Sequence, residues 1–143
     1  VADMLAVGVA MLDGELSYHE GDHTSAFESL RLAVSLDDRL NYTEPWAWMH
    51  PPRHALGALL AEQGWFAQAE AVFRADLGYR VEAGNEVPRC CAHPDNVWGL
   101  HGLHECLVEQ GKTEEADLLK PRLAIAMART DVQVKAACCC RST

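Results

Sequence analysis

The histidines of this 143-residue chain include one pair whose spacing suits metal chemistry. His101 and His104 are three residues apart, so on a helix their imidazole rings lie on the same side, one turn from each other. His50 and His54 form a second group, close to a Pro-Pro pair. Imidazole nitrogens bind zinc and copper well. The types and spacing therefore predict a transition-metal site, whereas the alternative interpretation makes these histidines packing residues.

Six cysteines form the second group of reactive residues, in the order Cys90-Cys91, Cys106 and Cys138-Cys139-Cys140. Adjacent cysteines suit a disulfide framework poorly, because neighbouring side chains diverge and each needs a distant partner. The apolar N-terminal stretch lacks the basic region of a secretory signal. We therefore expect a cytoplasmic protein with free thiols, or a soft-metal or redox site formed by Cys90, Cys91 and His93 with the C-terminal cysteines folded towards it. Cys106 is expected to be a buried small hydrophobe.

A loop rich in proline and aromatic residues, at positions 41–52, is the third feature. Tyr42, Trp46 and Trp48, together with Trp98, have the size and flat faces to line a ligand pocket or to plug the end of a groove. Arg53 follows the loop directly and has the guanidinium geometry to bind a carboxylate in a bidentate manner. Its alternative role is an ion pair with Glu44 or Glu62.

Composition limits the functional classes. A net charge of −9 disfavours binding to nucleic acid or to an anionic membrane, since both need clustered lysine and arginine. No apolar run reaches the ~18–20 residues that span a bilayer. The sequence contains no phosphate-binding loop and no Ser-His-Asp order, so whether the protein is an enzyme stays open. The 49% of hydrophobic residues are enough for one folded domain over residues 1–143.

Apolar periodicity and three turn glycines predict an all-α fold. Helices are expected over residues 2–20, 25–36, 53–64, 66–79 and 96–110, and from 113 onward, with Pro121 kinking or splitting the last one. Leu5, Val9, Leu12 and Leu16 form one apolar stripe in the first helix. The expected helix caps are Thr24 or Ser25, Asp95 and Thr113. The organisation is therefore three antiparallel hairpins in residues 1–40, 41–80 and 81–130, followed by an irregular Cys-rich tail at 131–143.

The hairpins resemble tetratricopeptide (TPR) repeats over nearly the whole chain. The second hairpin carries the resemblance in Leu56, Gly57, Ala69 and Phe73, where Gly57 is expected to pack closely against Phe73. The first hairpin shows it in Gly14, Ala26, Leu30 and Ala33, and the third in Leu100, Leu103, Gly111 and Ala116. The segment Tyr42-Thr43-Glu44-Pro45-Trp46, with Leu56-Gly57, is similar to uncharacterised microbial TPR proteins. The spacing between turn glycines exceeds the ~34 residues of a plain TPR.

The resemblance implies a right-handed superhelix whose first helices line a concave groove. In that register His54 and His101 take equivalent positions on neighbouring helices, and with His104 they make the predicted copper or zinc site. The groove side chains that we expect to bind ligand are Tyr18, His19, Trp46, Trp48, Arg53, Trp98 and Glu105.

Two functions follow as expectations. The first is a binding or scaffolding module whose groove holds a peptide, a protein segment, part of its own chain or a small molecule. The second is a small metalloprotein with a His-rich, Cys-assisted site. Convergence of His54, His101 and His104 would favour the second.

Overall fold

Every regular element that the structure describes is helical, as the sequence predicts. The structure is a computed structural model that describes residues 2–79 and 87–141. Its helices are α1 (Ala2–His19), α2 (His23–Asp37), α3 (Pro52–Glu62), α4 (Phe66–Asp76), α5 (Val97–Glu109) and α6 (Thr113–Met127). One 3₁₀ turn, Arg89–Cys91, lies in the second long loop. The first residues of the predicted third hairpin and the last two of the tail lie outside the described ranges.

Consecutive helices pack as three hairpins, α1 with α2, α3 with α4, and α5 with α6. Further contacts join α2 to α3, α4 to α5 and α3 to α5, so the hairpins are stacked in chain order. Each predicted hairpin segment contains two of the helices. None of the described helices is long and apolar enough to cross a bilayer.

The hairpin turns are built alike. Gly21, Gly64 and Gly111 have φ values of 86°, 74° and 70°, and a Cβ at any of them would meet no atom within 4 Å. Glycine is therefore required there by the left-handed backbone and not by a lack of space. In the second turn Trp65 N–H donates to the Leu60 carbonyl and Gly64 N–H donates to the Ala61 carbonyl. This Schellman pattern satisfies the last carbonyls of the helix before the chain reverses.

Phe73 of α4 is the central side chain of the helix stack. A Cβ on Gly57 would lie 2.6 Å from Phe73 Cζ, and one on Gly102 would lie 2.3 Å from the same atom. The ring is fully buried between these two glycines of α3 and α5. The sequence prediction that Gly57 packs against Phe73 is confirmed, and Gly102 is the second half of the same contact.

Helix α1 presents a different face to the core from the one its leucines suggest. Leu5, Val9, Leu12 and Leu16 are all more than half exposed. The buried positions are Val7, Ala10, Met11, Gly14 and Tyr18. Both faces of α1 are apolar, so helical periodicity alone selects the wrong stripe.

Three local details of the helix ends also differ from expectation. Asp22 caps α2 by accepting a hydrogen bond from Ser25 N–H at 3.1 Å. Asn96 caps α5 by accepting from Gly99 N–H at 2.7 Å. Thr113 is the first residue of α6 and provides no cap. Inside α6, Pro121 does not split the helix, which leaves a kink as the remaining expectation.

The segment 131–141 has no regular structure, as predicted, yet it belongs to the core. Val134, Ala136, Ala137 and Cys138 are buried, and Ala137 and Cys138 join the main hydrophobic cluster. A segment without helical or strand hydrogen bonding depends on the surface beneath it for its order, so that surface is a candidate binding site.

Candidate functional site

The C-terminal tail lies on the side of the stack formed by α5 and the start of α3. Arg141 Nη1 donates to both carboxylate oxygens of Glu105, at 2.6 and 2.8 Å. Cys138 Sγ lies 3.8 Å from Nε2 of His50, which precedes α3 by two residues. All ten residues from Pro52 to Ala61 are buried, so α3 is covered on every side. Glu105, predicted as a ligand-binding residue, is thus in contact with a segment of its own chain.

Tyr18 and His19 lie at the end of α1. The buried Tyr18 hydroxyl donates to Glu62 and accepts from Gln63 Nε2 at 2.7 Å, which ties α1 to the C-terminal end of α3. Burial, followed by the Glu62 hydrogen bond, raises the pKa of Tyr18. His19 is exposed, with its ring at the edge of Tyr18 at a centroid distance of 6.0 Å. Tyr18 is structural here, and His19 remains accessible.

The three predicted tryptophans do not form one wall. Trp48 Nε1 donates to Met11 Sδ at 3.1 Å, and a Cβ on Gly8 would touch its ring at 2.9 Å, so Trp48 packs on α1. Trp46 meets the His93 ring edge-to-face, with centroids 4.7 Å apart. Both tryptophans line a cavity of about 40 Å³, and Trp98 lies elsewhere, on α5. The other residues of this cavity include Asp37, Tyr42, Cys90, Cys91 and His93.

Arg53 is already paired. Its two terminal nitrogens donate to the two carboxylate oxygens of Asp38 at 2.7 and 2.6 Å, and its side chain is buried. The partner is therefore neither Glu44 nor Glu62. This bidentate pair fixes the end of α2 against the start of α3, and it leaves the guanidinium fork occupied.

A buried carboxylate that sequence reasoning missed links α3, α4 and the segment before α5. Asp76, at the end of α4, is 0% exposed. It accepts hydrogen bonds from His93 Nδ1 at 2.8 Å and Asn96 Nδ2 at 2.7 Å, and it pairs with His54 Nε2 at 2.9 Å. Burial alone would raise the pKa of Asp76, but the two histidines outweigh it and hold that pKa well below its usual range. The only signal in the sequence was position, since Asp76 follows Phe73 by three residues on the same helix face.

The three predicted metal ligands have different surroundings. His54 Nε2 is engaged by Asp76, whereas His101 Nδ1 and His104 Nε2 are buried and have no hydrogen-bond partner within the described part of the chain. Burial is the largest influence on His101 and lowers its pKa, which favours the neutral ring. Among residues 2–79 and 87–141, no three or more histidine, cysteine, aspartate or glutamate side chains are placed to hold one metal ion. His54, His101 and His104 therefore do not converge on a common point.

The cysteines divide into a bonded pair and four free thiols among the described residues. Cys138 and Cys140 form a disulfide across the exposed Cys139, which differs from the expectation that the tail thiols are free. Cys90 and Cys91 have their sulfur atoms 3.7 Å apart, and Cys91 lies against the Asp38 carbonyl rather than against the tail. Cys106 is fully buried, as predicted, and burial raises its pKa to about 12.

No family model, no curated protein and no solved structure matches this chain.

Proposed function

We propose that this domain is a TPR-like binding module whose groove takes extended polypeptide segments. The observation that carries the proposal is the tail itself. An irregular segment, 131–141, is held against helical surface by buried side chains and by one ion pair, in which Arg141 Nη1 contacts both carboxylate oxygens of Glu105. A surface that orders one irregular segment in cis has the properties needed to order another in trans.

The contacts of the tail define the preferred ligand. Ala136 and Ala137 are buried, so the groove accepts small side chains at that point. Arg141, four residues after Ala137, places its guanidinium on Glu105. Both side chains of this pair are about one quarter exposed. Both contacts to Glu105 come from one guanidinium nitrogen, so the pair selects a basic side chain by charge and hydrogen bonding. The expected ligand is a peptide with two adjacent small residues and a basic residue four positions after the second of them.

The attached tail competes with any free peptide for the same surface, so the experiment must first release the tail. A tethered segment has an effective concentration in the millimolar range, so a free peptide binds the wild type poorly. Arg141→Glu places like charges together and releases the tail. A labelled peptide with the sequence of residues 131–141, its cysteines replaced by serine, should then bind Arg141→Glu at least tenfold more tightly than wild type in fluorescence anisotropy.

Two controls make this test specific. Arg129→Glu makes the same charge change at an exposed arginine and should leave peptide binding at the wild-type level. Adding Glu105→Arg to the Arg141→Glu variant should restore the intramolecular pair and abolish peptide binding. Equal and weak binding of the peptide to wild type and to Arg141→Glu would reject the groove as a peptide site.

A second candidate, a small metalloprotein, is supported by one observation. His101 Nδ1 and His104 Nε2 are buried without partners in the described residues, and an unpaired buried nitrogen carries a free-energy cost that a metal ion would remove. We propose Cu(II) or Zn(II) as the ion. Either should raise the melting temperature of the wild type, and His101→Ala with His104→Ala should remove that rise. His54→Ala tests the third predicted ligand. If His54 also binds the ion, it must leave Asp76, and the variant should then lose the metal-induced rise in melting temperature.

A further inference from the structure

The point where the tail meets the loop before α3 gathers two sulfur atoms and one imidazole. Cys138 is buried, its sulfur lies 3.8 Å from His50 Nε2, and it is bonded to the sulfur of Cys140. The backbone N–H of Cys140 donates to Cys138 Sγ at 3.2 Å, so the two residues fold around one point. Cys139 is exposed and lies outside this cluster.

We propose that Cys138, Cys140 and His50 form a soft-metal site that opens when the disulfide is reduced. In the oxidised chain the two sulfur atoms are bonded to each other and cannot act as thiolates, and residues 2–79 and 87–141 then hold no group of three metal ligands. A dithiol reductant transfers two electrons and two protons to the disulfide, and it becomes a disulfide itself. The two thiols then lose their protons as they bind the ion, which gives an S₂N donor set suited to Zn(II) or Cu(I).

The donor spacing agrees with this chemistry. With Zn–S near 2.3 Å and Zn–N near 2.0–2.1 Å, tetrahedral geometry places a sulfur and a nitrogen ligand ~3.6 Å apart. The distance from Cys138 Sγ to His50 Nε2 is 3.8 Å before any adjustment. Two thiolates on one zinc lie ~3.8 Å apart, so the sulfur atoms need only separate after reduction. The irregular backbone of the tail can accommodate that movement more easily than a helix.

The site is also held on both sides. Ala137 is 1% exposed just before it, and Arg141 is fixed on Glu105 just after it. The Cys90–Cys91 pair lacks this arrangement, because Cys90 is exposed and Cys91 Sγ lies 3.7 Å from the Asp38 carbonyl oxygen rather than from an imidazole nitrogen.

Peptide capture needs none of the three ligands, so the metal site is a property separate from the binding function. The two also fail separately: peptide binding is read from Arg141→Glu by anisotropy, and the metal site from the intact chain by spectroscopy.

The test uses Co(II) as a probe on the full chain, reduced with a phosphine and kept free of oxygen. We expect one equivalent of Co(II) to give the charge-transfer absorption of thiolate ligation, and Zn(II) to displace it. The oxidised chain should give no such band. Cys138→Ser and Cys140→Ser should each remove most of the band, and His50→Ala should weaken Co(II) binding at least tenfold. Cys139→Ser and Cys90→Ser are the matched controls and should bind as the wild type does.

Several outcomes would overturn the assignment. Absence of the band in the reduced wild type would reject the site. An equal loss in Cys139→Ser and Cys138→Ser would show that the tail cysteines act without the folded geometry. Retention of full affinity in His50→Ala, with loss in His101→Ala, would remove His50 from the ligand set.

Circular dichroism of each variant checks that it folds. In the reduced wild type, Zn(II) should protect Cys138 and Cys140, but not Cys139, from maleimide labelling.

Discussion

The ring of Phe73 in α4 lies where a side chain on Gly57 of α3 would have to be, with Cζ only 2.6 Å from the position of a Cβ. Gly102 of α5 receives the same ring from the other side. One aromatic side chain thus sets how closely three helices approach. Since α3 carries His54 and α5 carries His101, His104 and Glu105, this contact also positions the residues of the candidate site.

Gly57→Leu should overpack this contact and lower the free energy of unfolding by about 1–3 kcal/mol. Phe73→Ala should cost about 3–5 kcal/mol, because it leaves a cavity. The double variant places the new leucine in that cavity and should be more stable than Phe73→Ala alone. Urea unfolding of the four proteins measures the coupling. An unchanged stability in Gly57→Leu would contradict the close contact.

Asp76→Asn should be among the most damaging conservative substitutions, because it leaves His54 and His93 without their charged partner. Breaking a buried pair of this kind costs about 3–5 kcal/mol. Since the pKa of Asp76 is lowered, its stabilisation is present above the unfolded value of 3.8 and is lost as the pH falls below it. The difference between wild type and variant should therefore be large at pH 7 and shrink in acid.

Asp117→Asn provides the matched control for that experiment. Asp117 pairs with Lys120 on the surface of α6, where both side chains are more than half exposed. Its replacement should change the free energy of unfolding by less than about 0.5 kcal/mol at any pH. Equal effects of the two substitutions would show that Asp76 is not the buried centre of a network.

The contribution of Asp37 to stability should depend on pH in the opposite sense to that of Asp76. Burial, followed by the nearby Asp38, raises its pKa to about 6 from 3.8. The folded state then binds the proton more tightly than the unfolded state, so stability falls as the pH rises from about 4 to 6. The shift sets an upper bound of about 3 kcal/mol, and partial exposure reduces it to about 1–2 kcal/mol. Asp37→Asn should be more stable than wild type at pH 7.5, by a margin that narrows at pH 4.5. A margin that widens towards acid would refute this.

The sequence predicts those parts of the fold that depend on local spacing. Turn glycines, helix periods and the pairing of Gly57 with Phe73 all lie within one or two hairpins, where residue spacing determines geometry. The partners of Arg53, Asp76 and Arg141 were not predicted. Several other carboxylates and imidazoles lie close in the sequence to Asp38 and His93. Only the packing of α2, α3 and α4 selects which of them become the partners of Arg53 and Asp76. Glu105 is 36 residues from Arg141, and no periodicity links the two.

Helix α1 gives the clearest test of where local spacing fails. Met11 and Leu12 are adjacent, and both belong to apolar stripes at helical spacing, but Met11 is 4% exposed and Leu12 is 59% exposed. Met11→Ala should cost about 2–5 kcal/mol, because it empties a core position and removes the acceptor of Trp48 Nε1. Leu12→Ala should stay within about 0.5 kcal/mol of wild type. Both substitutions create alanine, the best helix former, so propensity favours neither. Thermal and urea unfolding at low protein concentration measure the two values. A larger loss in Leu12→Ala than in Met11→Ala would show that the leucine stripe, and not the face found here, packs on α2.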